Sequence, residues 1–273
     1  MIFRIERARE EHGNAILRLA YKDPILNALL LYDWIVLRRR QPNACDFYVA
    51  IDELSGSVIA TCVVFHDRSF DSILFCGDPK ANKTLIESIK PERAVLPRVL
   101  PEEEELILEA LKGQSISVYD VLIMACRPES FRPIITHRVV KLGPEHAELY
   151  SRFCRKERRA RISLDEARKR LSEEDKPVFA VIIDGRIVST ALIYASLPEV
   201  SLVGGVYTVP EFRGRGLATS VTSRATEEAL SYSKVASLIV RADNEPAIKI
   251  YRRIGYEVYR RSKWFNVNVS IVP

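Results

Sequence analysis

A basic, glycine-containing loop between a strand and a helix constrains this fold more than any other feature of the sequence. Residues 206–219 read VYTVPEFRGRGLAT. The pattern predicts that a buried strand ends near Thr208 and that a helix follows from about Gly216 to Tyr232. Such a junction directs several backbone N–H groups and the positive end of a helix dipole at one point. Because Gly214 and Gly216 present no side chain there, the segment indicates a nest for a pyrophosphate.

Two other interpretations of the glycine pair compete with this one. A dinucleotide-binding Rossmann turn would place a third small residue at Thr219, and Pro210 intervenes between the strand and the glycines. The other alternative is a purely structural turn. On Gly214 and Gly216 alone, the structural turn would be preferred.

A second motif downstream decides between these interpretations. Residues 213–218 fit the pattern R/Q-x-x-G-x-G/A. The pattern N-x-x-A-x-x-x-Y-x-x-x-G-[FY] is matched without a gap by Asn244, Ala247, Tyr251, Gly255 and Tyr256. Through both motifs, residues 134–270 resemble the GNAT superfamily of N-acetyltransferases, especially a branch that carries an extra N-terminal domain. The resemblance implies an α/β fold with a mixed sheet.

The resemblance also implies a site for acetyl-CoA, with CoA as product and no metal. Backbone groups of Val206 and Thr208 would pair with the pantetheine arm, and the N–H of Val209 would face the thioester carbonyl. The pyrophosphate cradle is implied at Arg213, Gly214, Arg215, Gly216, Leu217, Ala218 and Thr219. Asn244 would lie near the cofactor arm, or serve only as a helix N-cap.

Tyr251 matches the tyrosine that protonates the departing CoA thiolate, although a core tyrosine at this position would look the same. The position that aligns with the family's glutamate base is Leu202, so the base is missing there. Glu199 or a chain of water molecules could replace it, whereas Glu211 is expected to be exposed. The sequence therefore does not identify which group acts as the general base.

The order of elements predicts two domains, residues 1–127 and 134–273, joined by a polar linker. In the second half we expect strands at 137–142, 178–183, 187–194, 200–208, 235–240 and 256–269, with helices from 144, 163, 216 and 246. The first half repeats this order less regularly: strand 2–5, helices 9–20 and 25–37, strands 46–52, 57–65 and 71–77, helices 79–90 and 102–111, and strand 116–124. It resembles a degenerate GNAT unit, since Gly77-Asp78-Pro79-Lys80 is too short for a phosphate loop.

Composition adds limits to this interpretation. Five widely spaced cysteines suggest reduced thiols and a reducing compartment, so the protein is expected in the cytoplasm. The net charge of +5 is mildly basic. No run of residues is long and apolar enough for a membrane span. A basic cluster contains Arg152, Arg155, Lys156, Arg158, Arg159 and Arg161. We interpret it as a solvated helix face and expect no nucleic acid, since no aromatic residues are interleaved.

The function that follows is acetyl transfer from acetyl-CoA to a primary amine of a small molecule, amino acid or peptide. The alternative is a non-catalytic acyl-CoA-binding module. The oligomeric state stays open.

Overall fold

The computed structural model describes residues 2–157 and 162–271. Contacts between Cα atoms divide the chain into two units. The first unit comprises residues 1–123, 239–243 and 259–273, and the second comprises residues 124–238 and 244–258. The predicted domain boundaries at 127 and 134 remain predictions.

The described residues form twelve strands and nine α-helices, with short 3-10 and π turns between them. The strands are β1 Phe3–Arg7, β2 Cys45–Asp52, β3 Val58–His66, β4 Asp71–Gly77, β5 Ala94–Val99, β6 Ile116–Cys126, β7 Val140–Lys141, β8 Val178–Ile183, β9 Arg186–Ser196, β10 Ser201–Thr208, β11 Ala236–Arg241 and β12 Glu257–Val267. The helices are α1 Gly13–Ala20, α2 Ala28–Tyr32, α3 Arg38–Arg40, α4 Pro79–Ile89, α5 Glu104–Ala110, α6 Ala147–Lys156, α7 Leu164–Leu171, α8 Leu217–Tyr232 and α9 Glu245–Ile254.

The predicted repeat of element order is present. From β1 to β6 the chain runs strand, helices, three strands, helix, strand, helix, strand, and the same order recurs from β7 to β12. Strands β2, β3 and β4 pair antiparallel, and so do β8, β9 and β10. In each half the next strand then joins in parallel, β5 beside β4 and β11 beside β10. The predicted mixed α/β class is confirmed.

Strand β5 was not predicted from the sequence. Its six residues AVLPRV are all buried, but a proline in a central strand would remove a ladder hydrogen bond. The structure accommodates Pro97 because the pairing with β12 shifts register there, from Leu96–Phe265 to Val99–Lys263. At such an irregularity an N–H is not needed, so the proline costs the ladder little.

Two other predicted elements are shorter than expected. The predicted helix at 25–37 is divided, since a π-helical turn at Asp33–Leu37 separates α2 from α3. The predicted strand at 137–142 is reduced to Val140–Lys141. The segment before it lies on α8 instead, where the N–H groups of Ile134 and Thr136 donate to the hydroxyls of Ser223 and Ser220, both at 3.1 Å.

The second unit has its own hydrophobic core. Residues of α6 and α7, among them Phe153 and Leu171, pack with residues of β8 and β9 and with Val209. Helix α7 begins at the predicted capping box, in which Ser163 and Glu166 satisfy each other's backbone N–H groups. Helix α8 buries its predicted apolar stripe, which includes Leu217 and Val221, and packs against β8, β9 and β10.

Candidate functional site

Strand β10 contains a β-bulge at the centre of the second unit. Gly204 pairs with Leu192 of β9, but the next pair is Tyr207 with Thr190, so two residues of β10, Gly205 and Val206, oppose one residue of β9. Gly205 has φ +58, and a Cβ there would lie 2.3 Å from Cδ1 of Leu192. The bulge therefore requires glycine. The adjacent glycines 204 and 205 are the feature of the sequence that could have predicted this bulge, since glycine inside a strand often marks a bulge.

Beyond the bulge, alternate residues of β10 direct their backbone groups to opposite sides. The N–H of Val209 donates to the carbonyl of Val188 at 2.9 Å, which makes this a hydrogen-bonded pair with β9. Thr208 and Ser189 form the neighbouring pair, whose backbone groups point outward from the two strands. The N–H and C=O groups of Thr208 therefore point away from β9, whereas Val206 lies within the bulge, between the pairs made by Gly204 and Tyr207.

The backbone hydrogen bonds bear on the expected roles of three strand residues. The N–H of Val209 was expected to face a thioester carbonyl, but it is bonded to β9, and Val209 is buried. The recorded parallel pairing of β10 with β11 covers only Ser201 with Ala236 and Leu202 with Ser237, so Val206 and Thr208 lie past it. The pairing of these two residues with a pantetheine arm stays a prediction.

The loop after β10 brings two glycines to the start of α8. A 3-10 turn spans Pro210–Phe212, and Gly214 and Gly216 then adopt φ values of +77 and +80. Gly216 is the N-cap of α8, and no side chain caps this helix. The N–H groups of its first turn have no partner within the helix, and residues 213–216 are exposed. The junction thus presents uncapped donors to solvent, as an anion site requires.

Two arginines flank these N–H donors. Nε of Arg213 donates to the carbonyl of Thr208 at 3.1 Å, which ties the loop back to the strand. Arg215 donates to the carbonyl of Glu211 at 3.3 Å and lies over the ring of Phe212. Both side chains therefore hold positive charge beside the start of α8.

A cluster of hydroxyl and imidazole groups lies beside the same helix end, and it was not predicted from the sequence. Nδ1 of His137 lies 3.0 Å from Oγ1 of Thr136 and 3.3 Å from Oγ of Ser220. A Cβ built on Gly216 would approach Oγ1 of Thr136 to 3.6 Å and Cε1 of His137 to 3.7 Å. A ligand at Gly216 would therefore meet these polar side chains.

Tyr251 lies on α9, whose start is fixed by the second motif. Oδ1 of Asn244 accepts from the N–H of Ala247 at 3.3 Å, so Asn244 is an N-cap in this structure. The side chain of Tyr251 is almost fully buried, and this burial raises its pKa to about 12. The phenol is therefore protonated throughout the physiological range. In proton transfer it can serve as an acid, but not as a base.

The other motif tyrosine has a structural partner. Tyr256 is fully buried, and its phenol lies 2.9 Å from Oγ1 of Thr226. Its ring packs at an angle of 61° against that of Tyr251, with 6.0 Å between the centroids. Tyr256 thus fixes α9 against α8 and supports the position of Tyr251.

The position of the missing base is apolar, as expected. Leu202 is 8% exposed and carries no titratable group. Glu199 lies in the turn between β9 and β10, and its Oε2 is buried with no hydrogen bond from any described residue. Glu211 is exposed and bonded to Arg186 at 3.0 Å. A hydrogen bond from its own backbone N–H and the bond from Arg186 lower the pKa of Glu211.

A further carboxylate contacts β10 and was not identified from the sequence. Oε2 of Glu157, at the end of α6, accepts from the phenol of Tyr207 at 2.9 Å. Tyr207 lies between Val206 and Thr208, and its ring packs edge-on against Phe153 at 6.0 Å. A cleft of about 110 Å³ lies beside Glu157, and Arg152 and Lys156 line it.

Other predictions concern charge, metals and membranes. Arg152, Arg155 and Lys156 are exposed on α6, whereas Arg158, Arg159 and Arg161 lie outside the described residues. Within residues 2–157 and 162–271, no group of His, Cys, Asp or Glu side chains is arranged to hold a metal ion. None of the helices described is long and apolar enough to cross a bilayer. All five cysteines are buried, and none of them forms a disulfide.

Known proteins resemble both the sequence and the fold. The FR47-like protein family matches residues 188–265. An uncharacterized N-acetyltransferase of Methanocaldococcus jannaschii is 35% identical over 60 residues, which are 22% of this chain and 26% of that protein. The matched region thus spans about a quarter of the relative's length.

Solved structures resemble nearly the whole chain. A GCN5-related N-acetyltransferase from Sphaerobacter thermophilus superposes with a TM-score of 0.67 at 16% identity, covering 99% of this chain and 97% of that one. A tandem GNAT protein from the clavulanic acid biosynthesis pathway gives 0.62 at 13% identity, covering 99% and 100%. At these identities the likeness establishes the fold. Together with the FR47-like match over residues 188–265, this likeness shows that the chain has the fold of the GNAT N-acetyltransferases.

Proposed function

We propose that the protein transfers an acetyl group from acetyl-CoA to a primary amine of a small molecule, amino acid or peptide. The observation that carries this proposal is the uncapped, glycine-lined start of α8, placed directly after the bulged strand β10. A pyrophosphate fits there because Gly214 and Gly216 leave the first-turn donors of α8 accessible. Arg213 and Arg215 add positive charge.

The remaining contacts to the cofactor follow from the strand. The backbone groups of Val206 and Thr208, which lie past the pairing with β11, are suited to hydrogen bonds with the amides of a pantetheine arm. Because Val209 donates to β9, the outward N–H of Thr208 is better placed to stabilise negative charge on a thioester oxygen. Bound acetyl-CoA would supply an activated carbonyl for attack by the amine.

Tyr251 is the proposed proton donor to the departing sulfur. With a pKa of about 12, its phenol is a weaker acid than a thiol of about 8.5, so full transfer to a free thiolate is uphill. The phenol can still donate a hydrogen bond that strengthens as charge develops on sulfur. The thiolate then takes up a proton from solvent, so that Tyr251 keeps its own proton and the proton lost by the amine passes to a separate acceptor.

We infer that Glu157 and Tyr207 accept the proton of the attacking amine. The phenol of Tyr207 already donates to Glu157, so a proton can pass from the amine to Oη of Tyr207 as the phenol proton moves to Oε2 of Glu157. Glu199, which has a buried, unbonded Oε2, is the competing candidate. Water could connect either carboxylate to the amine.

Replacing each glutamate separately distinguishes the two candidates. We expect Glu157→Gln to lower kcat/KM for the amine about 10–100-fold, because the amide cannot take up a proton. Glu199→Gln, the matched control, should stay within about threefold of wild type. Stopped-time acetylation assays at several pH values would measure both. A loss confined to Glu199→Gln would identify Glu199 as the base, and unchanged activity in both variants would leave water in that role.

The experiment that tests the function is release of CoA thiol from acetyl-CoA by the full chain in the presence of a panel of primary amines. An acetyltransferase releases thiol with at least one amine above the rate without amine. A non-catalytic acyl-CoA-binding module would bind acetyl-CoA and release none. The five buried cysteines, none of which forms a disulfide, support a reducing compartment such as the cytoplasm for this activity.

A further inference from the structure

The first unit contains a cavity of about 920 Å³ at the carboxyl ends of β4 and β5. These two strands pair only at Asp71 with Ala94 and at Ser72 with Val95. Past those pairs, the cavity is lined by Cys76 and Gly77 from β4 and Arg98 from β5. Helix α1 and the residues that follow it form another wall. The cavity therefore lies entirely within the first unit.

The cavity does not have the features of a pyrophosphate site. The side chain of Asp78 caps α4 and accepts from the N–H groups of Lys80 and Ala81, both at 3.0 Å, so the helix start is occupied by a carboxylate. Gly77 also contacts neighbouring backbone, since a Cβ there would lie 2.3 Å from the carbonyl oxygen of Ile59. This glycine serves close strand packing, unlike the open glycines before α8.

Three cationic side chains line the cavity. Burial raises the pKa of Glu103 and the positive charge of Arg98 lowers it, so this carboxylate lies close enough to Arg98 to be affected by it. Arg18 and Lys22, four residues apart at α1, form no ion pair with any described residue, and neither does Arg98. Arg98 is 3% exposed; its guanidinium donates to the carbonyl of Phe75, while its Nε has no hydrogen-bond partner in the described chain. A buried, incompletely bonded arginine is costly unless an anion or another acceptor completes it.

The acidic residues around the cavity are already engaged. Glu103 accepts from Nδ2 of Asn82 at 2.8 Å and from the N–H of Leu100 at 2.9 Å. Asp23 accepts from the N–H of Leu26 at 3.1 Å and from the phenol of Tyr259 at 2.9 Å. Asp78 caps α4, so these three carboxylates accept hydrogen bonds from donors other than the three cations. Glu11, the fourth acidic residue of the wall, lies 3.6 Å from Arg9 and 3.8 Å from His12.

Two of the cations act on a common point of the cavity wall. Burial raises the pKa of the Cys76 thiol to about 12; the charge of Arg98 opposes that rise, Glu103 adds to it, and Lys22 opposes it. Arg98 and Lys22, from different elements, are thus close enough to the same thiol to affect it. Leu19, Leu26, Val58 and Leu100 supply an apolar part of the wall, beside its polar residues.

We propose that this cavity binds a small carboxylic acid with an apolar chain. The carboxylate would lie among Arg18, Lys22 and Arg98, and the chain would lie against the leucines and Val58. This site is separate from the acetyl-CoA site of the second unit and does not depend on the proposed function. A ligand of this class fits because it supplies the missing anion and buries apolar surface.

The test uses the full chain and a series of straight-chain acids from acetate to octanoate, each beside its neutral amide. Calorimetric titration should show binding of at least one acid and at least tenfold weaker binding of its amide. Arg18→Gln and Lys22→Gln should each weaken that acid about tenfold or more, since a hydrogen bond to a charged group is lost. Lys112→Gln, an exposed lysine outside the cavity, is the charge-matched control and should bind as wild type.

Three results would overturn the proposal. Equal binding of acid and amide would show an apolar pocket without anion selectivity. Absence of binding by every acid at 10 mM, a concentration about tenfold above weak millimolar affinity, would show that the cavity takes no such ligand. Acid binding that is lost in Gly216→Val but kept in Lys22→Gln would place the acid in the second unit. Arg98→Gln would not test the site, because it also loses the hydrogen bond to the carbonyl of Phe75 and could fail to fold.

Discussion

Replacing Gly216 with valine is expected to weaken acetyl-CoA binding about 100-fold or more. Gly216 lies at the N-cap of α8 with φ +80, where a pyrophosphate would touch backbone. A branched side chain there would displace the phosphate and would disfavour the left-handed backbone. The loss of two charge-assisted hydrogen bonds, at roughly 1.5–3 kcal/mol each, corresponds to this change in affinity. Calorimetric titration with acetyl-CoA measures it.

The matched control is Gly113→Val. Gly113 has φ +90, and a Cβ there would meet nothing within 4 Å. This variant should carry the same kind of backbone strain, with a similar fall in melting temperature, yet bind acetyl-CoA as wild type does. Gly77 is unsuitable as a control because its Cβ would collide with backbone. Undiminished binding by Gly216→Val would contradict the assignment of the loop.

Replacing Tyr251 with phenylalanine should lower kcat about 10–100-fold and leave the Kd for acetyl-CoA within about threefold. The phenyl ring keeps the packing against Tyr256. Only the proton donor to the leaving sulfur is lost, and that donor stabilises the transition state selectively. Because the pKa of Tyr251 is about 12, roughly 1% of it is ionised at pH 10. Wild-type kcat should therefore show no decline from this group up to that pH.

Tyr256→Phe provides the structural comparison. Its phenol bonds to Thr226 in the core, so its removal should lower the melting temperature by an amount equivalent to about 1 kcal/mol. The kcat of this variant should remain near that of wild type. If Tyr251→Phe instead behaved like Tyr256→Phe, with reduced stability and full activity, Tyr251 would be a packing residue.

The sequence predicted the second unit well because its motifs combine local signals that agree with one another. The capping box at Ser163 and the tight turn at Asp184-Gly185, whose residues have φ +49 and +67, are fixed by a few adjacent residues. The glycines before α8 likewise adopt the positive φ values that their position suggested. Local chemistry of this kind can be derived without knowledge of tertiary contacts.

Long-range arrangements could not be derived in this way. Strand β5 contains Pro97, which only a register shift opposite β12 accommodates. The expected donor role of Val209 was wrong for this structure because the bulge at Gly205 determines which N–H groups face β9. The contact between Glu157 and Tyr207 joins residues fifty positions apart. No periodicity or spacing in the sequence reveals that contact.

Thiol release by the full chain tests the central claim most directly. The protein would be incubated with acetyl-CoA and a panel of primary amines, with release of CoA thiol and formation of acetylated amine followed together. We predict equal amounts of thiol and acetylated product with at least one amine, and loss of both in Gly216→Val while Gly113→Val stays active. If wild-type protein neither binds millimolar acetyl-CoA nor releases thiol with any amine, the assignment of an acetyltransferase site at the start of α8 is contradicted.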